Sequence, residues 1–223
     1  MLAPASVVSF RLLSLSAIGA VALPSAAHAR RPHRSGGQVE LISGVSACVP
    51  GAANCRHEDA TLSGRTAPMV GLGINLGYRF RRSLLMGVGY AAGFFDPRYE
   101  WDSGEQPRLA YQQGLFLVAR GILPIRRFDL GFELSPGVSR VVLRSESGDN
   151  RTYSQGFALR PGVSLDYWLG RRWFLGGKAD LTFNLHRNVC VRSGDESNCH
   201  HKRPLDVVAV HQLIAGLHVG GSF

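Results

Sequence analysis

Long hydrophobic runs are what this sequence has least of. Only Leu12 to Leu23 is apolar almost without interruption among the 223 residues, and that run is shorter than the roughly 20 residues a membrane-spanning helix needs. Charge is sparse as well, at 18% of residues against 45% apolar. That composition is ample for a core and excludes wholesale disorder. Acidic residues are the scarcer sign: 16 Asp and Glu face 25 Lys and Arg, a formal net charge of +9. Methionine is limited to 3 residues beside 11 Phe, 6 Tyr and 3 Trp, a balance that leans toward strands over helices. The residue in excess is glycine, with 27, and it shows neither the every-third period of collagen nor Ser/Gln low complexity.

The amino terminus reads as a secretory leader. Arg11 is the only positive charge before the apolar run, Pro24 ends that run, and Ala27-His28-Ala29 is a small-x-small cleavage site. The expected division is a signal peptide over 1–29, a short segment over 30–37 and a single domain over 38–223. Export suits the four cysteines, which fall as two close pairs, Cys48 with Cys55 and Cys190 with Cys199, each in a polar, turn-rich stretch. Three connectivities are formally possible, and local pairing is the expected one.

From residue 38 onward the dominant period is two. Between Met69 and Phe80, Val70, Leu72, Ile74, Leu76 and Tyr78 share one face, with Gly71, Gly73, Asn75, Gly77 and Arg79 on the other. The same alternation runs through Leu84 to Phe95, Phe128 to Val138, Phe157 to Tyr167 and Trp173 to Leu185, and less cleanly through Gln38 to Ala47, Leu109 to Leu123 and Val207 to Phe223. Eight segments result. Their connections alternate between short turns at 81–83, 124–127 and 170–172 and long loops at 48–67, 96–108, 143–152 and 187–206, so every other connection reads as a tight hairpin. Each short turn carries an arginine pair, Arg81-Arg82, Arg126-Arg127 or Arg171-Arg172, with Leu85, Leu130 or Leu175 at a common offset beyond it. That spacing predicts a repeated double-hairpin unit.

A soluble sandwich would also alternate, but it would expose its polar face, and here the polar face is glycine-rich and thinly charged. Small residues beside a few long charged ones fit the interior of a narrow barrel. Aromatics gather at the segment ends: Tyr78, Phe80, Phe128, Tyr167, Trp173 and Phe223 near the short turns, Tyr90, Phe94, Tyr111 and Tyr153 toward the long loops. That is the double girdle of a barrel that crosses a bilayer with about 10 residues per strand. On these features, and on the alternating stretch Leu213 to Phe223 that closes on an aromatic, the sequence resembles the small bacterial outer-membrane β-barrel family, with its OmpA-like, OmpX-like and opacity-like domains. The resemblance implies an all-β fold, an eight-stranded antiparallel up-and-down transmembrane barrel, with short periplasmic turns and long external loops. It also implies recognition of the Phe223 strand by the barrel-assembly machinery and residence in the bacterial outer membrane among its lipids. The family holds many unrelated functions, so function has to be argued from residues.

The inward row carries the acids Glu40, Asp129, Glu133, Asp166 and Asp180 and the bases Arg79, Arg120, Arg160 and Lys178, with His218. An unpaired charge in a narrow lumen is costly, so these are expected to pair. Glu133, Arg160, Lys178 and Asp180, at similar depth on successive strands, form the expected centre of a network that includes Arg120 and Asp129. Such a network reads as a plug, and alternatively as the lining of a narrow pore for small solutes. The three arginine pairs, with Arg30, Arg31 and Arg34, would form a periplasmic rim able to hold lipid phosphate or the anionic cell wall, or simply be solvated. Nucleic acid is not an expected partner, since no reader motif is present.

Catalysis is not expected. The only His-x-Ser pair, His33-Arg34-Ser35, precedes the first strand, and His211 on the last has no Ser two residues away. His57, His186, His200 and His201 fall in the first and last long loops and match no zinc spacing. No metal or cofactor is expected. The functional expectation is a monomeric structural or surface-interaction barrel whose loops carry any recognition, with a lipid-modifying enzyme as the lesser alternative.

Overall fold

The computed structural model describes residues 35–49, 56–59, 62–101, 107–145, 150–193, 196–201 and 211–223. The expected leader, its cleavage site and Arg30, Arg31 and Arg34 lie outside these. Ten strands are formed among the described residues: β1 (Gly36–Cys48), β2 (Arg56–Asp59), β3 (Leu62–Phe80), β4 (Leu84–Trp101), β5 (Pro107–Ile125), β6 (Phe128–Ser145), β7 (Asn150–Trp168), β8 (Trp173–Ser193), β9 (Glu196–His201) and β10 (Gln212–Ser222). Every pairing is antiparallel, and β1 pairs with both β3 and β10, which closes eight of the strands into a barrel. The short β2 and β9 lie off this ring and extend β3 and β8.

The alternation dictates this closure. Leu72, Ile74, Leu76, Leu115, Leu117, Phe132, Leu134, Leu165 and Leu217 all point outward and are exposed, while Asn75, Arg79, Arg120, Glu133, Arg160, Lys178 and Asp180 point inward and are buried. A soluble protein could not keep so continuous an apolar wall in water. A bilayer makes it the stable face, and barrel closure removes the sheet edge that hydrocarbon cannot satisfy.

Two expectations need correcting. The long loops are shorter than the alternation implies, because strands run on into them: β3 begins at Leu62, β4 reaches Trp101, and β8 continues to Ser193 before turning back as β9. Past the apolar band these segments keep pairing with their neighbours, so backbone hydrogen bonding outlasts the hydrophobic signal. The three arginine turns, in turn, are not copies of one unit. They hold three, two and four residues between strands, and Leu85 faces inward at 1% exposure whereas Leu175 faces outward at 43%. Lengthening or shortening a turn by one residue reverses the face of every side chain in the strand beyond it. Arg81, Arg82 and Arg126 adopt left-handed backbone, φ 44°, 66° and 51°, a conformation that costs a non-glycine residue about 1 kcal/mol.

Candidate functional site: the lumen and its rims

The lumen is packed in layers from the short-turn end to the loop end. At the short-turn end Trp168 and Phe174 are both buried, their ring centroids 5.3 Å apart. Trp168 Nε1 donates to Asp129 Oδ2 at 2.7 Å, and the same oxygen pairs with the Arg79 guanidinium, which also donates to the Arg82 carbonyl. Asp129 therefore belongs to this lower group and not, as the spacing implied, to the one around Glu133.

Above it sits a network built on two carboxylates. Arg120 reaches from β5 to Glu40 on β1 and binds it bidentately, 2.7 Å at each oxygen, the fork geometry that suits guanidinium to carboxylate. These strands stand three places apart in the ring, so the pair spans the lumen. Glu133 on β6 accepts from three cations on three different strands: Arg120 at 2.7 Å, Lys178 at 2.8 Å and Arg160 at 3.1 Å. Lys178 also lies 3.1 Å from Asp180. Three carboxylates thus balance three cations, and Gln38, Asn75 and Ser135 supply further donors to Glu40 or Glu133. His218 joins the group through Asp166, 2.7 Å from Nδ1, with Glu40 3.3 Å from Nε2. Glycine makes the room: at Gly162 a side chain would collide with Asp180 Oδ1, and at Gly131 it would meet the Arg120 stem at 2.9 Å.

The next layer is apolar. Phe116 packs with Ile42, Ala91, Ala158 and Ile214, and its ring lies 4.3 Å beneath the Arg160 guanidinium, a cation–π contact away from water. A second polar layer follows, in which Gln112 and Asn184 exchange side-chain hydrogen bonds and His186 sits between Ser139, 2.8 Å from Nε2, and Ser154, 2.9 Å from Nδ1. Cys48, Phe95, Ala110 and Val141 form the last layer toward the loops.

His186 is a correction to the sequence reading, which put it in a loop with His57, His200 and His201. It is 1% exposed inside the barrel, because the inward row of β8, Lys178 to Asn184, continues two residues further than the apolar row made evident. No group able to hold a metal ion exists among the described residues; the side chains of His57, His200 and His201 lie outside them. The Cys190–Cys199 bridge is formed between β8 and β9, with Cα atoms 4.0 Å apart. Cys48 is disulfide-bonded too, and Cys55 lies outside the described residues.

Solved structures share this architecture. The chain superposes on Neisserial surface protein A with a TM-score of 0.52 at 12% identity, covering 85% of this chain and 98% of that one. On the outer membrane protein OprG from Pseudomonas aeruginosa the TM-score is 0.55 at 11% identity, covering 87% and 100%. The chain has the fold of a small outer-membrane β-barrel. No family model matches the barrel's sequence, and no curated protein matches it either.

The rims of this outer-membrane barrel fold differ. At the short-turn rim Arg81, Arg82, Arg126, Arg127, Arg171 and Arg172 are all exposed, and Arg127 donates to the Tyr167 hydroxyl at 3.2 Å. Trp173 and Phe223 meet edge to face there with centroids 6.4 Å apart, and the Phe223 amide donates to the Gly37 carbonyl at 2.8 Å. Sequence reasoning placed the inward charges on the correct face but missed the buried Trp168 and Phe174, since an aromatic beside a short turn reads as girdle.

Proposed function

We propose that this protein is an integral barrel of the bacterial outer membrane with a closed lumen, a non-enzymatic scaffold that presents its loop-end strands for surface interaction. The carrying observation is the Glu40–Arg120–Glu133–Lys178 chain, which ties β1, β5, β6 and β8 together across the interior. A through-path for solute would have to separate buried, mutually satisfied charges, which costs several kcal/mol per ion. Catalysis on lipid is disfavoured by placement: Ser139 and His186 are within hydrogen-bond distance, but both are buried inside, away from the lipid-facing wall. The six turn arginines suit the anionic headgroups or cell wall on the periplasmic side, and the Phe223 strand suits the assembly machinery.

Planar-bilayer recording of the refolded protein tests the closed reading. Silence is expected from a barrel whose folding is verified by its mobility shift between unboiled and boiled samples. Discrete conductance steps that shrink on Arg160 or Lys178 replacement would establish the pore instead.

A further inference from the structure

The lumen holds more acid than permanent base. Among the described residues the buried side chains include five carboxylates, Glu40, Asp129, Glu133, Asp166 and Asp180, against four cations whose charge is permanent, Arg79, Arg120, Arg160 and Lys178. Asp129 takes Arg79, and Glu40, Glu133 and Asp180 share the other three. The fifth acid, Asp166, meets His218 instead.

The register brings these two together. Asp166 on β7 lies directly beside Gly176 on β8, and Gly176 directly beside His218 on β10. The outer residues of this row touch because the middle one has no side chain: a Cβ at Gly176 would come within 2.5 Å of Asp166 Oδ1. His218 Nδ1 is 2.7 Å from that oxygen, and on the other side of the ring Nε2 is 3.3 Å from Glu40 Oε2 on β1. Since β1 pairs with β10 to close the barrel, one imidazole links the closing seam to a strand two places away from β10.

The protonation of the ring follows from its donors and acceptors. An ionised carboxylate only accepts, so Nδ1 carries a hydrogen toward Asp166. A neutral ring would then present a buried lone pair at Nε2, with no hydrogen-bond donor reaching it and a carboxylate oxygen 3.3 Å away. A hydrogen on Nε2 turns that repulsion into attraction and brings the lumen to five charges of each sign. The other groups packed on the ring carry no charge: Phe174, with its centroid 5.1 Å away, and Gly176 from β8, and Ile42 from β1. The nearest cations are committed elsewhere, Arg120 to Glu40 and Glu133, Lys178 to Glu133 and Asp180. His186 is the contrast inside the same barrel. Its nitrogens meet the hydroxyls of Ser139 and Ser154, which donate or accept as required, so that ring needs no charge.

We propose that Glu40, His218 and Asp166 form a proton-binding clasp on the closing seam, in which one proton held by the imidazole completes the charge balance of the lumen and ties β1 and β10 to β7. Loss of that proton to solvent leaves two buried carboxylates facing a neutral ring, one of them unbalanced, and loosens the seam. The clasp therefore makes the barrel sensitive to alkaline pH. The imidazole of an unfolded chain gives up its proton above about pH 6.5. Above that pH the folded barrel binds the extra proton, and its stability falls as pH rises.

The test uses the full barrel refolded in phosphatidylcholine vesicles, with urea unfolding read on the unboiled band between about pH 7 and pH 9. The wild-type unfolding constant is expected to rise by up to about tenfold per pH unit, the limit for one proton. H218Q, checked for folding by its mobility shift, is expected to abolish this rise, and D166N, which removes the unmatched acid, to reduce it. A second readout needs no variant: NMR of the nitrogen-15-labelled wild type at about pH 7.5 should show a hydrogen on both ring nitrogens of His218 and on one of His186. A wild-type unfolding constant that ignores pH, a rise that persists undiminished in folded H218Q or D166N, or a singly protonated His218 ring would each overturn the proposal.

Discussion

Two sets of arginines occupy this barrel. Inside, Arg79, Arg120 and Arg160 each meet a carboxylate contributed by another strand. On the outer wall at the loop end, Arg144, Arg151 and Arg192 stand beside one another. The residue is the same and the surroundings are opposite: a buried guanidinium must meet a carboxylate close at hand, whereas the field of an exposed one is screened by solvent and ions. The inner set therefore ties strands together across the lumen, while the outer set is a like-charge row on the exposed wall.

The largest expected effect breaks the inner set. Glu133→Gln removes the carboxylate shared by Arg120, Arg160 and Lys178 and should lower unfolding stability by about 3–5 kcal/mol, the cost of stranding buried charge. The urea midpoint of the unboiled band in lipid vesicles measures it, and an unmoved midpoint would make the network ornamental. Adding Arg160→Leu to Glu133→Gln removes the stranded cation, since Arg120 keeps Glu40 and Lys178 keeps Asp180 whereas Arg160 pairs with Glu133 alone. The double variant should recover part of the loss, with a coupling of about 1 kcal/mol or more in a double-mutant cycle; strict additivity would show that the two do not act as a unit.

A smaller effect probes the space around the inner set. Gly162→Ala brings a methyl group against Asp180 Oδ1 and should cost about 1–3 kcal/mol as an overpacked substitution. Glycine lining the lumen only because it is narrow would predict no more than the ordinary change of a strand residue. Smallest is the outer set. In phosphatidylcholine alone, Arg144→Gln with Arg151→Gln relieves a like-charge pair and should raise stability by about 0.2–1 kcal/mol. A loss of stability in that bilayer would mean that these arginines brace the wall, and the contrast between the two sets would fail.

The division of faces was legible because it rests on a period of two, which depends only on the side of the sheet each residue occupies. Glu133, Arg160, Lys178 and Asp180 could be grouped by eye, since their positions along successive strands nearly match. Glu40 as a second hub was not legible: Arg120 reaches it across the lumen, and that distance depends on how the barrel closes, which no local pattern encodes. Asp129 went to the wrong group for the same reason, as its partner Arg79 lies three strands away in the ring. The arginine row escaped notice because its meaning lies in lateral register, which changes with every turn length. The bulge between Gln155 and Gly156 alters which β8 residues face β7, and no residue in that stretch announces it.

The hub at Glu133 also bears on how the wall finds its register. A strand that slipped along its neighbour by two residues would keep each of its side chains on the face it already occupies, so the bilayer could not tell the two arrangements apart. The slip would carry Arg120 past Glu133 and Lys178 past the same oxygen, leaving charges in the lumen with nothing opposite them. The lipid-facing surface decides which side of each residue faces out, and the buried acid decides which rung it occupies.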